Sequence, residues 1–190
     1  MRSLLSARSE RAMTSDQSGP MVVDASVAIA ICLEEPGFEW AVRILRRHGA
    51  DGRTILVPAF FWLEILNVLI NRYRQPPGLV LQSIVDLESL ELTSVELDRP
   101  LVLLTLDGMG RHGLSGYDAA YLALAQSADG TLLTFDNRLV AAAGPRALKP
   151  GPGHGIEESR EPYAPSWAEW PGAAAYLKQL RAQVVRQANG

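Results

Sequence analysis

Four short apolar runs, each set against a longer stretch of helical periodicity, constrain this chain more than any other feature. "MVVD" passes into "ASVAIAICLEE", and "RTILVP" into "PAFFWLEILNVLINRYR". "ELTSVEL" precedes "DRPLVLLTLDGMGRHG", and "TLLTFD" precedes "NRLVAAAG". Short runs with little polar alternation suit strands covered on both faces, and strands separated by helices return in the same direction. The pattern predicts an α/β protein, a three-layer α/β/α fold with a mainly parallel central sheet. Further helices are expected in "FEWAVRILRRHG", "GLVLQSIVDLESL" and "SGYDAAYLALAQSADG". Pro58 is expected in the first turn of the helix that follows it.

The 190 residues divide into three parts. Residues 1–20 read as a disordered leader, 21–148 as one domain, and 149–190 as a Pro/Gly-rich segment with a C-terminal helix. That helix would carry Tyr176, Leu177, Leu180 and Val184 on an apolar stripe, with Lys178, Arg181 and Arg186 making it basic. It is expected to pack against the domain. No apolar stretch approaches the roughly 18–20 residues needed to span a bilayer, so no membrane partner is expected. One cysteine, Cys32, excludes an internal disulfide and a Cys-based zinc site; a buried thiol of this kind suits the cytoplasm.

Acidic residues interrupt the apolar pattern at particular places. Asp24 and Asp136 stand at the carboxyl ends of predicted strands, and Asp118 stands in the first turn of a predicted helix. In a parallel sheet those positions face one crevice, where ligands of such folds sit. Glu64 lies within "FFWLEILNVLI", with Asn67 and Asn71 on the same side of the helix. Each acid also has a plain structural reading. Asp118 completes an S-x-x-D capping box with Ser115, while Asp24 and Asp136 suit N-caps. Glu64 has no obvious local partner.

Carboxylates gathered in one crevice raise each other's pKa unless a cation is present. Mg²⁺ and Mn²⁺ suit such oxygen donors, and Mg²⁺ keeps waters while contacting phosphate. The chemistry that follows is metal-assisted phosphodiester hydrolysis, which needs no side-chain nucleophile. Removing mutually repelling acids, as in Asp24→Ala or Asp118→Ala, is expected to end that chemistry and leave the fold as stable or more so.

Four segments in order, "VVDASVAIA", "PAFFWLEILNVL", "LSGYDAAYLALA" and "LLTFDNRL", resemble the motifs of the PIN-domain nucleases. Their order and texture are most similar to the VapC-type toxins of bacterial toxin–antitoxin pairs, over roughly residues 21 to 143. The resemblance implies a compact α/β/α fold, Mg²⁺- or Mn²⁺-dependent endoribonuclease activity, a homodimer, and inhibition by a cognate antitoxin. It assigns catalysis and metal binding to Asp24, Glu64, Asp118 and Asp136. Ser26 and Thr134 match the hydroxyl residues that orient a carboxylate or water, and Asn137 is a further contact. Where the family has a last strand, only "RALKP" stands, which leaves the final sheet element open.

RNA would meet its phosphates with positive groups. Arg43, Arg46 and Arg47 form one cluster, Arg72 and Arg74 a second, and Arg111 with His112 a third, although each also suits a solvated helix face. A net charge of −3 argues against a broad non-specific nucleic-acid surface. Phe60, Phe61 and Trp62 read as core or dimer surface. Two other readings compete. A haloacid-dehalogenase-like phosphatase would need an Asp where Ser26 stands. A non-catalytic PIN-like module would bind RNA or protein without cutting, and the presence of all four acids argues against it.

Overall fold

The structure, a computed structural model, describes residues 19–150. The predicted C-terminal helix and all but the last two residues of the predicted leader lie outside the described residues.

Five parallel strands form the central sheet: β1 (Met21–Val23), β2 (Ile55–Pro58), β3 (Leu92–Val95), β4 (Thr131–Leu133) and β5 (Ala147–Leu148). Their spatial order is β3-β2-β1-β4-β5. Seven helices connect them: α1 (Ala25–Cys32), α2 (Phe38–Ala50), α3 (Phe61–Asn67), α4 (Pro77–Glu88), α5 (Arg99–His112), α6 (Gly116–Ser127) and α7 (Asn137–Ala143). A wider π-helical turn, Val68–Arg72, continues α3. The α/β/α expectation holds, with a sheet that is wholly parallel.

Register follows burial. Met21, Val22 and Val23 pair with Thr131, Leu132 and Leu133, and all six are buried. A Cβ on Gly130 would meet the Pro20 carbonyl oxygen at 2.6 Å, so only glycine lets the two strands enter side by side. Helix α6 packs on β1, β2 and β4, with α5 laid over it, while α1 contacts α2, α3 and α4. Residues Ala119 to Ala125 of α6 are all buried, and their four alanines admit close approach of neighbouring elements.

Two expectations at strand ends change. Pro58 closes β2 rather than opening α3; it pairs with Val95, and Ala59 N–H donates to the Val95 carbonyl at 2.8 Å. Alternation then turns the Pro58 nitrogen toward β1, whose pairing with β2 covers only Ile55 and Leu56. The missing N–H costs no ladder bond there. "RALKP" does supply a strand, β5, whose two residues pair with Leu132 and Leu133.

Strand β1 continues to β2 on one side and is flanked by β4 on the other. The β1–β4 boundary is therefore the point at which the strand order reverses, where a crevice opens beyond the carboxyl ends. Asp24 follows β1 directly, and Asp136 lies just beyond β4.

Candidate active site

Asp24 is N-cap of α1 and is buried. Its Oδ2 accepts from the Ser26 backbone N–H at 3.3 Å, from the Ser26 hydroxyl in a very short contact, and from the Thr134 hydroxyl at 2.9 Å. Each hydroxyl is itself oriented. Phe135 N–H donates to Ser26 Oγ at 3.0 Å, and Asp136 N–H donates to Thr134 Oγ1 at 3.0 Å. With an N–H on each oxygen, the hydroxyl protons turn toward Asp24. Two side chains thus tie the end of β1 to the end of β4. All three donors converge on one oxygen, which leaves Oδ1 to other partners.

Burial pushes the Asp24 carboxyl above its ordinary range; the Ser26 and Thr134 hydrogen bonds oppose this, and the Asp118 charge adds to it. Burial likewise raises Glu64, and the charges of Asp24 and Asp118 raise it further. These three acids, 94 residues apart at their extremes, feel one another. None of the ion pairs among the described residues includes them: Asp51 pairs with Arg53, Asp107 with Arg111 and Asp129 with Arg146.

Glu64 does have a partner, one the sequence reading missed. The Tyr121 hydroxyl donates to Glu64 Oε2 at 2.8 Å. Tyr121 is wholly buried, and its ring meets Phe60 edge-on at 5.5 Å. Burial and the Glu64 and Asp24 charges push its phenol far above the ordinary value, so it remains a neutral donor. The spacing Asp118–Tyr121 places both on one face of α6. In "DAAYLALA" that i, i+3 relation was the available signal. Asn67 and Asn71 do not join the site; they are exposed and bond to each other at 2.6 Å.

The capping readings separate. Ser115 caps α6 by accepting from Asp118 N–H at 3.1 Å. No hydrogen bond from the Asp118 carboxylate back to Ser115 is present among the described residues, so the carboxylate is free of the cap and is half-buried near Asp24 and Glu64. Asp136 differs: its Oδ1 caps α7, accepting from the N–H groups of Arg138 at 2.6 Å and Leu139 at 3.2 Å. Its charge is not among the influences on the other acids, and its link to them runs through Thr134. Asn137 is exposed, and its Oδ1 accepts from Lys149 Nζ at 3.3 Å. Cys32 is half-buried rather than fully enclosed; burial pushes its thiol up to about 11.

A ready-made cage for an ion is not present: among the described residues no three Asp, Glu, His or Cys side chains are arranged to enclose one. The donor set nevertheless fits a hard cation. Among the described residues no cation pairs with these three carboxylates, and such a set of oxygen donors suits a divalent ion. Asp24 Oδ1 and the Asp118 carboxylate are the groups least occupied by protein donors.

The PIN domain family model matches residues 21–145. Among solved structures, PAE2754 from Pyrobaculum aerophilum is similar at 20% identity and a TM-score of 0.52, covering 70% of this chain and 86% of that one. VapC20 of Mycobacterium tuberculosis, described as a Sarcin-Ricin loop cleaving toxin, is similar at 17% identity and a TM-score of 0.50, covering 64% and 94%. Likeness at this identity concerns the fold. A comparison with curated proteins gives no match.

Proposed function

The chain belongs to the PIN domain family, and from that premise we propose that it is a metal-dependent endoribonuclease, the toxin of a toxin–antitoxin pair. One observation carries the reading: at the sheet's switch point the charge of Asp118 acts on Asp24, and the charges of Asp24 and Asp118 act on Glu64, while none of the ion pairs among the described residues includes these acids. A catalytic crevice that must receive a divalent ion has reason to keep such repulsion; a folding scaffold does not.

Asp24, Glu64, Asp118 and Asp136 would hold Mg²⁺ or Mn²⁺. Such an ion would supply neutralisation of phosphate charge and activation of water at neutral pH. The chain's own residues prepare that. Ser26 and Thr134 aim Asp24 and oppose the rise in its pKa, Tyr121 fixes Glu64, and Ser115 caps the helix that presents Asp118. The substrate is RNA, by the resemblance of the four motifs, and a cognate antitoxin would cover the same crevice. Among the described residues no helix is long and apolar enough to cross a membrane. We assign the protein to the cytoplasm, where its RNA is found.

A homodimer belongs to this reading. Helix α5 exposes Val102, Leu103, Leu104, Leu106 and Met109. Tyr117 extends the surface, since Met109 adjoins Gly116 and Tyr117 meets Phe60 edge-on. So large an apolar face marks an interaction site. Phe61, by contrast, is core.

The test is cleavage of structured RNA by the purified chain with and without Mn²⁺, repeated with Asp118→Asn. Metal-dependent cutting lost in the variant supports the nuclease. Tight RNA binding without cutting favours the non-catalytic module instead.

A further inference from the structure

We propose that Arg138 and Lys149 form a phosphate-binding rim beside the acidic crevice, holding a backbone phosphate of single-stranded RNA adjacent to the one that is cut. This rests on the nuclease reading and adds to it the residues that hold the strand.

Neither residue belongs to the basic clusters that stand out in the sequence; the fold brings them to the site. Arg138 is the second residue after Asp136, and its backbone N–H donates to that carboxylate. Its side chain crosses to the loop before α6, where Nη2 donates to the Gly113 carbonyl at 2.7 Å. Two residues further on, Ser115 caps the helix that carries Asp118. The guanidinium therefore links the turn that bears Asp136 to the loop that leads into the helix of Asp118. Lys149 approaches from the other neighbour of β4. Thr134 N–H donates to the Leu148 carbonyl at 3.2 Å, which sets Lys149 at the same end of the sheet, and its Nζ reaches Asn137 Oδ1.

Both side chains are exposed, and both of these contacts are to neutral oxygens. Among the described residues no carboxylate pairs with either, unlike Arg111, which pairs with Asp107 at 2.8 Å, or Arg146, which pairs with Asp129 at 2.7 Å. Guanidinium carries five N–H donors and ammonium three, so each retains donors for a ligand. The pairing also resolves a difficulty of the crevice. A cluster of acids repels a polyanion, and cations at its edge help to hold a strand across it. Phosphates are the groups that such cations take from RNA.

The experiment measures binding of a fluorescein-labelled oligouridylate by anisotropy across a salt series. It uses the full chain carrying Asp118→Asn, with Mg²⁺ present, so that no strand is cut. Each phosphate contact on a single strand contributes about −0.7 to the slope of log K against log salt. Because the two residues share one phosphate, adding Arg138→Gln and Lys149→Gln together is expected to flatten the slope by about 0.7. The charge-retaining pair Arg138→Lys and Lys149→Arg should preserve it, and Arg146→Gln, at the other end of β4, should leave it unchanged. An unchanged slope in the double Gln variant overturns the rim, as does weaker binding that is uniform across salt, or no binding by the parent. Mn²⁺-dependent RNA cleavage by the unaltered chain reports separately on the nuclease reading. Cleavage with an unchanged slope refutes the rim alone; no cleavage refutes the nuclease, whatever the slope.

Discussion

Replacing Tyr121 with Phe removes one oxygen atom and leaves the ring where it packs against Phe60. What is lost is a 2.8 Å hydrogen bond to Glu64 from a side chain with no solvent exposure. A hydrogen bond to a charged group contributes about 1.5–3 kcal/mol. In a chain of this size each kcal/mol moves the melting temperature by about 2–4 °C, so the metal-free variant should melt roughly 3–12 °C lower at neutral pH. The functional consequence is more specific. The Tyr121 hydroxyl is the influence that opposes the rise in the Glu64 pKa, so its removal pushes Glu64 further toward the neutral form. It also frees the carboxylate to turn away from Asp24. Loss of a partner that orients a metal ligand typically costs 10–100-fold in affinity or activity. Isothermal titration with Mn²⁺, beside RNA cleavage at saturating metal, reads this directly. Mn²⁺ affinity and cleavage within twofold of the parent would refute the positioning role, even if the melting temperature fell.

Asp24→Ala and Asp118→Ala should part company, contrary to the expectation that both leave the fold intact. Asp118→Ala removes a repelling charge with no hydrogen bond of its own and should melt no lower than the parent, with cleavage lost. Asp24→Ala takes away an N-cap and the acceptor for the buried Thr134 hydroxyl, and should cost about 1–3 kcal/mol in denaturant titrations; Asp24→Asn keeps an acceptor and should lose cleavage with a smaller stability change. Asp24 and Glu64 have folded pKa values raised above 3.8 and 4.5. Their contribution to stability is therefore present below those values and lost as pH rises through the raised ones. Metal-free melting temperatures should decline over that window toward neutrality, and Mn²⁺ should lessen the decline. If the proposed homodimer forms through α5, Leu106→Lys on its exposed face is expected to give a monomer in multi-angle light scattering where the parent gives a dimer; a parent that is already monomeric would contradict the pairing.

The layer architecture was legible because "MVV", "ILVP" and "TLL" are apolar without alternation and are separated by helical stretches. A sheet covered on both faces is what such runs can build. The ends of strands were harder. Pro58 carries the same helix-start preference wherever it stands, and only the end of the β1 ladder lets it close a strand instead. Two residues of β5 hold too little apolar pattern to be seen without β4 beside them. In the site, the four acids were visible because charge at a strand end or within an apolar helix has few uses. Which of them share a field was not visible. Ser115 and Asp136 both satisfy helix starts, and sequence spacing cannot tell a capping oxygen from a released one. Tyr121 was hidden for a further reason: in an apolar helix a tyrosine reads as core, and its partner lies 57 positions away.

Soaking crystals of the chain in Mn²⁺ and recording anomalous differences at the manganese edge tests the central claim most directly. A peak is expected among the carboxylates of Asp24, Glu64 and Asp118, and it should vanish in crystals of Asp118→Asn. A well-ordered crevice with no peak, or manganese bound only away from those three side chains, would contradict a shared divalent-ion site and the hydrolysis built on it.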